Sequence, residues 1–374
     1  MSRNRVIYQS ESLYVGLVQA TGSHTGAGVD STAGVKQLQR VQSANYNFNI
    51  ERTDVNQYGE LAAIDRIILA SPTVSLDFNY ISADLCNEKS LGLTISTGPA
   101  SLISCISGLL NKTADEKNYF IKVSSEGTDS VGTLAATAGQ STIGIGNGFI
   151  TSYTAEGSVG NFPTVSINVE ALNMKFDNEV VGFLTPAVNP TNGTPITVFA
   201  INLPTAVSNV GSTALSALRP GDVTVSIKKN GTSTDPDNIG TSVSDAKIQS
   251  YNISFDLSRT PLEKLGSKFA FSREIDFPVT ITAAIEANIG DLTTGNLASF
   301  LSSDESFDLS VNLLHPTTAV NQVAYLLKGA KLDSQDFSSS VGDDKSVSLN
   351  FSVQIGGPST TSAGLFISGA NAYA

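Results

Sequence analysis

The 374-residue chain has no tryptophan, two cysteines, two histidines and two methionines, and charged residues make up 15% of it. Each scarcity removes a class of function. Without Trp, the favoured stacking platform for sugars or single-stranded nucleic acid is missing. His24 and His315 stand in unrelated places, and Cys86 and Cys105 lack metal-ligand spacing, so no metal centre is expected. The two cysteines read as small apolar fillers or, alternatively, as a disulfide. Lys and Arg number 22 against 34 Asp and Glu, leaving a formal charge of −12 and an isoelectric point near 4.6. That balance disfavours an ordinary phosphate-gripping nucleic-acid binder. No run approaches the ~20 apolar residues of a membrane-spanning helix. The start, Met-Ser-Arg-Asn-Arg, has no apolar core behind its arginines, so assembly in a cytoplasm is expected and Asn-X-Ser/Thr triplets such as Asn111-Lys-Thr carry no weight.

What the chain does have is a long internal repeat. Arg40-Val-Gln-Ser-Ala-Asn-Tyr-Asn-Phe-Asn-Ile-Glu-Arg-Thr53 returns as Lys247-Ile-Gln-Ser-Tyr-Asn-Ile-Ser-Phe-Asp-Leu-Ser-Arg-Thr260, at an offset of 207. The offset holds through Gly59, Ala63 and Arg66, which meet Gly266, Ala270 and Arg273. A second block matches Ser158-Val-Gly160 to Ser340-Val-Gly342 and Val165-Ser-Ile-Asn168 to Val347-Ser-Leu-Asn350, at an offset of 182. The period is too long for a solenoid or propeller blade. It predicts two domains, 1–185 and 221–374, joined by a Pro/Asn/Gly/Ala-rich connector over 186–220.

Most segments alternate with the period of half-buried strands. Val74, Leu76, Phe78 and Tyr80 oppose Thr73, Ser75, Asp77 and Asn79; in the second copy Val279, Ile281, Ala283 and Ile285 oppose Thr280, Thr282, Ala284 and Glu286. Likewise Tyr46, Phe48 and Ile50 oppose Asn45, Asn47, Asn49 and Glu51, and Ile253, Phe255 and Leu257 oppose Asn252, Ser254, Asp256 and Ser258. Each copy also offers one helix: after Thr97-Gly-Pro, with Leu102, Ile103, Ile106, Leu109 and Leu110 at helical spacing, and around Leu297, Phe300 and Leu301. The unit is a sheet with one helix across it. Residues 19–39 and 127–148 read as Gly-rich loops, and the tails 1–12 and 356–374 as arms with little core pattern.

Candidate chemistry is thin. Gly144-Ile-Gly-Asn-Gly148 lacks the Lys and Ser/Thr of a phosphate cradle, and Asp235-Pro-Asp-Asn238 lacks the spacing and closing Glu of a calcium loop. His315-Pro316 reads as a turn. No catalytic residue, cofactor or metal site is expected, and the chain is not read as an enzyme.

Ser43-Ala-Asn-Tyr-Asn-Phe-Asn-Ile-Glu-Arg-Thr-Asp-Val-Asn-Gln-Tyr-Gly59, continuing through Ala70 to Tyr80 and Asn87 to Gly92, resembles tail tube proteins of tailed bacteriophages. Tyr153 to Ser166 and Gly329 to Ser334 look like later strands of such proteins. The resemblance implies a mainly β fold of two tandem tail-tube-like β-sandwich or barrel modules, each with one flanking α-helix. It implies homotrimeric, pseudo-hexameric rings, since single-domain members make hexamers, stacked into a virion tube. Through that tube DNA passes without specific binding, and the partners are a tape-measure protein and the tail terminator and tip or baseplate proteins. Asn45, Asn47, Asn49, Glu51, Thr73, Asp77, Asp256, Thr280, Thr282 and Glu286 then face the lumen, where acids and amides would not hold phosphates; the alternative is a solvated outer surface. Loop 127–148, with Gly127, Gly132, Gly139, Gly144, Gly146 and Gly148, is the expected ring-to-ring contact. Alternative readings are a tail-tip, baseplate or decoration protein, and a surface adhesin module.

Overall fold

The computed structural model describes residues 11–18, 35–97, 101–110, 115–124, 128–130, 141–177, 183–184, 186–195, 200–201, 217–229, 237–238, 241–242, 246–289, 305–340 and 344–369. The first part of the chain forms β1 (Glu11–Leu17), β2 (Lys36–Gln37), β3 (Val41–Asn49), β4 (Arg52–Val55), β5 (Asp65–Ile68) and β6 (Thr73–Ile81). The short helix α1 (Cys86–Leu91) and β7 (Ile95–Ser96) follow, then β8 (Lys117–Val123), β9 (Ser141–Ser158), β10 (Thr164–Ala171) and β11 (Asn173–Asp177). Two-residue strands β12 (Phe183–Leu184) and β13 (Ala200–Ile201) pair with each other in the connecting region. The second part forms β14 (Val223–Lys229), the small pair β15 (Asp237–Asn238) and β16 (Thr241–Ser242), β17 (Ala246–Asp256), β18 (Thr280–Ile289), β19 (Phe307–Leu314), β20 (Asn321–Ser338), β21 (Ser346–Gln354) and β22 (Gly364–Ser368).

One antiparallel sheet runs through both parts in the order β20-β21-β18-β17-β9-β10-β6-β3. The 18-residue strands β9 and β20 do double duty. Their C-terminal halves lie in this central sheet, while their N-terminal halves pair with β8 and β19, which in turn pair with β1 and β14. The register is the same in both parts. Asn45 opposite Asp77 matches Asn252 opposite Ala284, and Asn168 opposite Ser152 matches Asn350 opposite Ser334. Tyr119 opposite Ile145 matches Leu309 opposite Leu327. Even the bulges coincide: Gln42 and Gln249 are the extra residues in β3 and β17, and Thr151 and Asp333 in β9 and β20. A bulge adds local twist and bends its strand, which suits β9 and β20 where they leave the central sheet.

The alternation read from the sequence sorts the faces. Val74, Leu76, Phe78 and Tyr80 of β6 and Val279, Ile281, Ala283 and Ile285 at β18 are buried in one continuous core. Tyr153 stacks on Phe255 at 5.2 Å, and its hydroxyl meets that of Tyr325 at 2.9 Å, tying the two parts together at the centre. Burying each such aromatic contributes ~1.5–3 kcal/mol.

Four expectations change. The helix expected after Thr97 is a 3-10 turn over Cys105–Leu110, where Thr94 N–H donates to the Cys105 carbonyl. Gly108 lies so close to the Gly92 carbonyl that a Cβ would stand 2.1 Å from it, and this contact replaces regular helix packing. The α-helix that does form, α1, was not anticipated; the helix expected around Leu297 lies outside the described residues. Gly144, Gly146 and Gly148 are not in a loop but inside buried β9, while Gly127, Gly132 and Gly139 lie outside the described residues. These glycines permit close packing: a Cβ at Gly146 would stand 2.4 Å from the Pro186 carbonyl oxygen, and one at Gly148 2.8 Å from the Tyr119 ring. Finally, the C-terminal stretch is no free arm. Leu365, Phe366 and Ile367 are buried in β22, which pairs with β20 and, in parallel, with β7. Three consecutive apolar residues suit a strand covered on both faces, a pattern that alternation misses. Cys86 and Cys105 are both free thiols, and burial pushes the Cys105 thiol up to about 12.

Candidate assembly surface

The central sheet has one apolar face turned to the core and one polar face. Directly opposite residues point to the same side, so the ladder can be followed across the molecule. Asn45, Asp77, Asn168, Ser152 and Asp256 form one row; Ser254, Thr282, Ser352 and Lys331 continue the next. Nine of the ten residues expected to face a lumen lie on this polar face. The exception, Glu51, is exposed just beyond the end of β3. Sequence reasoning named them in two separate groups; the β9–β17 ladder makes those groups one surface.

This face is held by short polar contacts. Ser254 and Thr282 hydroxyls meet at 2.9 Å, Ser250 donates to Glu286 at 2.9 Å, and Asn350 donates to Ser334 at 2.8 Å. Its carboxylates include Asp77, Glu156, Asp256, Glu286 and Asp336, against the ammonium groups of Lys247 and Lys331. Glu170, at one margin, is ion-paired with the buried Arg273. The excess is acidic, so the local field repels phosphate.

The two edges of the sheet differ from its middle. Among the described residues β3 has a ladder partner on one side only, β6, and the 331–338 half of β20 has only β21. The nine residues of β3 contain no charge and no proline, the usual protection of an exposed edge. Phe48 on it is 58% exposed, and Phe337 on the β20 edge 44%.

Beyond β3 and β17 each part projects a hairpin: β4 and β5 in the first, and residues 259–275, bridged at Arg259–Ile275 and Leu262–Ser272, in the second. Gly59 and Gly266 occupy the left-handed region at both tips, φ 94° and 82°, beside the fully exposed Tyr58 and Leu265. The second hairpin is anchored at its base. Arg259 grips the buried Asp115 through two hydrogen bonds of 2.6 and 2.8 Å and lies 5.0 Å over the Phe149 ring. Burial pushes the Asp115 carboxyl up, and Arg259 pulls it back toward the charged form. The first hairpin instead carries an exposed Arg66–Asp54 pair and exposed Leu61, Ile64 and Leu69.

The residues examined for chemistry do not converge. Among the described residues no group of three or more His, Cys, Asp and Glu could hold a metal ion. His315 Nδ1 accepts hydrogen bonds from the amides of Thr317 and Thr318, which makes it a turn residue. His24 and Asp235 lie outside the described residues. Glu88 is a fully buried acid, pushed up to about 7 by desolvation, with Tyr80 donating to it at 2.8 Å.

No protein-family model matches the sequence, and no curated protein matches it. Among solved structures, a chain of the anti-feeding prophage baseplate is 12% identical, with a TM-score of 0.28 over 43% of this chain and 98% of its own. A chain from the tail of an empty gene transfer agent particle is 18% identical, with 0.24 over 38% and 98%. One from the virion of a native gene transfer agent particle is 13% identical, with 0.23 over 40% and 97%. TM-scores of this size do not establish a shared fold.

Proposed function

We propose that the chain is a structural virion protein: a tail tube subunit that assembles into stacked rings around a channel for DNA. The observation that carries this is the polar face, continuous across both halves of one open sheet and ending at two edges, β3 and the 331–338 half of β20, that have no further ladder partner among the described residues. An open sheet of this kind is a liability in a monomer and an asset in a ring, because closure through neighbours removes the edges. A channel wall with acids, amides and hydroxyls lets a polyanion slide, whereas a basic wall would release counterions and hold it. The sequence resemblance to tail tube proteins supports the same reading. It adds trimeric, pseudo-hexameric rings, assembly in a host cytoplasm, and contacts with a tape-measure protein, a terminator and tip or baseplate proteins.

With residues 141–148 inside a strand, the hairpin tips become the better candidates for ring-to-ring contact. Tyr58 and Leu61 in one part and Leu265 in the other are large, apolar and fully exposed, and such groups on a soluble surface mark contacts when they cluster. Negative-stain microscopy of the concentrated, purified chain tests the reading: tubes of uniform bore with a regular axial repeat are expected, and closed small oligomers at every concentration would overturn it. Lysine at Asn49, Asp77 and Thr282 together should then lower DNA delivery while leaving tubes intact.

A further inference from the structure

The two repeated parts of the chain meet at one internal strand junction. Inside the molecule, β17 of the second part pairs along β9 of the first. At offset 207 the counterpart of β17 is β3, and at offset 182 the counterpart of the β9 edge is the 334–340 stretch of β20. These are the two edges that have no further ladder partner among the described residues. We infer that β3 of one copy pairs antiparallel with β20 of the next in the register of the internal junction, placing Asn47 opposite Asp336 and Ala44 opposite Ser339. This deepens the assembly reading and rests on it.

Three details fit one occupant, a second copy. At the internal junction Tyr251 lies opposite Gly157, and a Cβ on Gly157 would stand 2.6 Å from the Tyr251 ring. At the corresponding pair the sizes are exchanged: Ser339 has a Cβ, and Ala44 has no ring to collide with it. Next, Gln335 is the counterpart of Tyr153, which stacks on Phe255. Its amide nitrogen and oxygen are both buried and without hydrogen-bond partners, a rare condition in a finished interface. The counterpart of Phe255 is the exposed Phe48, which the pairing would set opposite Gln335, with the backbone polar groups of β3 brought alongside that edge. Third, Arg259 anchors the second hairpin on Asp115, two residues before β8. Two residues before the matching strand β19 stands another acid, Glu305, partly exposed and paired with Lys229. Arg52, the counterpart of Arg259, would reach it from the neighbouring copy. The match is incomplete in one place: Glu170, which pairs with Arg273, has Ser352 as its counterpart, so Arg66 would find no acid there.

The test uses the full chain. Asn47→Cys with Asp336→Cys should cross-link between copies under mild oxidation, as directly opposed residues on adjacent strands lie within disulfide reach. Asn47→Cys with Ser340→Cys, out of register, should not. Ala44→Tyr should cut assembly about 10- to 100-fold by overpacking against Ser339, and adding Ser339→Gly should restore it. A wild-type chain that stays monomeric at every concentration would overturn both the assembly reading and this interface. Assembly without in-register cross-linking and without the Ala44→Tyr defect would overturn the interface alone.

Discussion

The two hairpins are the same device in different surroundings. Residues 259–275 are seated on the first half of the chain, where Arg259 and Arg273 are buried against Asp115 and Glu170. Residues 52–68 carry arginines at the same positions, yet Arg66 meets only the exposed Asp54 and Arg52 lies exposed. The same sequence feature is therefore structural where a neighbour module exists in the chain and vacant where it does not. The difference is what the proposed assembly predicts, with the free hairpin and the β3 edge as half of an interface.

The largest break in that symmetry should come from Arg259→Ala. Removing one partner of a buried ion pair costs about 3–5 kcal/mol, whereas Arg52→Ala, acting on an exposed group, should change monomer stability by no more than ~0.5 kcal/mol. Denaturant titration of both variants measures the contrast, and near-equal costs would undo it.

A second contrast is chemical. The first half buries an acid, Glu88, against Tyr80; at offset 207 the counterpart of Tyr80 is Ala287, without a polar group. The folded-state pKa of Glu88 is raised, from 4.5 to about 7. Its stabilising contribution is therefore full below pH 4.5 and lost as pH rises toward and through 7, by at most about 3 kcal/mol. Glu88→Gln should flatten that decline in melts taken between pH 5 and 7.5. Lys117 and Lys122, lowered to about 8 by burial, act with the opposite sign at higher pH and stay outside this window. A decline of equal size in the variant would assign it elsewhere.

Smaller effects sharpen the comparison of the two junctions. Gly157→Ala pushes a Cβ into the Tyr251 ring and should cost about 1–3 kcal/mol, while Ser339→Ala at the free counterpart should be silent in the monomer. Gly59→Ala and Gly266→Ala, both forcing a side chain into the left-handed region, should each cost about 1 kcal/mol and match within error. A large mismatch in thermal unfolding would mean the hairpin tips are not equivalent.

Much of the central sheet was legible in the sequence because period-two alternation reports burial directly. Thr73 to Tyr80 and Val279 to Glu286 fall on the expected faces, and constant offsets carry through to paired residues and even to the bulges at Gln42 and Gln249. Where both faces of a strand are covered, alternation vanishes and the reading failed. The expected C-terminal arm contains strand β22, and the expected Gly-rich loop runs into the start of β9, whose glycines admit Pro186 and Tyr119. The helix expected after Thr97 failed for a related reason: helical spacing describes local preference, and the close approach of Gly108 to Gly92 overrides it.

The sequence by itself determined that one β-rich pattern occurs twice, which residues face the core, and that few chemical groups are present. Those properties are local, set by side-chain period and residue type. Only the tertiary structure decided that the two patterns share one sheet, that nine polar residues from both form a single face, and that β3 and the end of β20 remain as matching edges. Strand neighbours depend on contacts between residues far apart in the chain, and a period of two specifies a face without specifying which strand lies alongside.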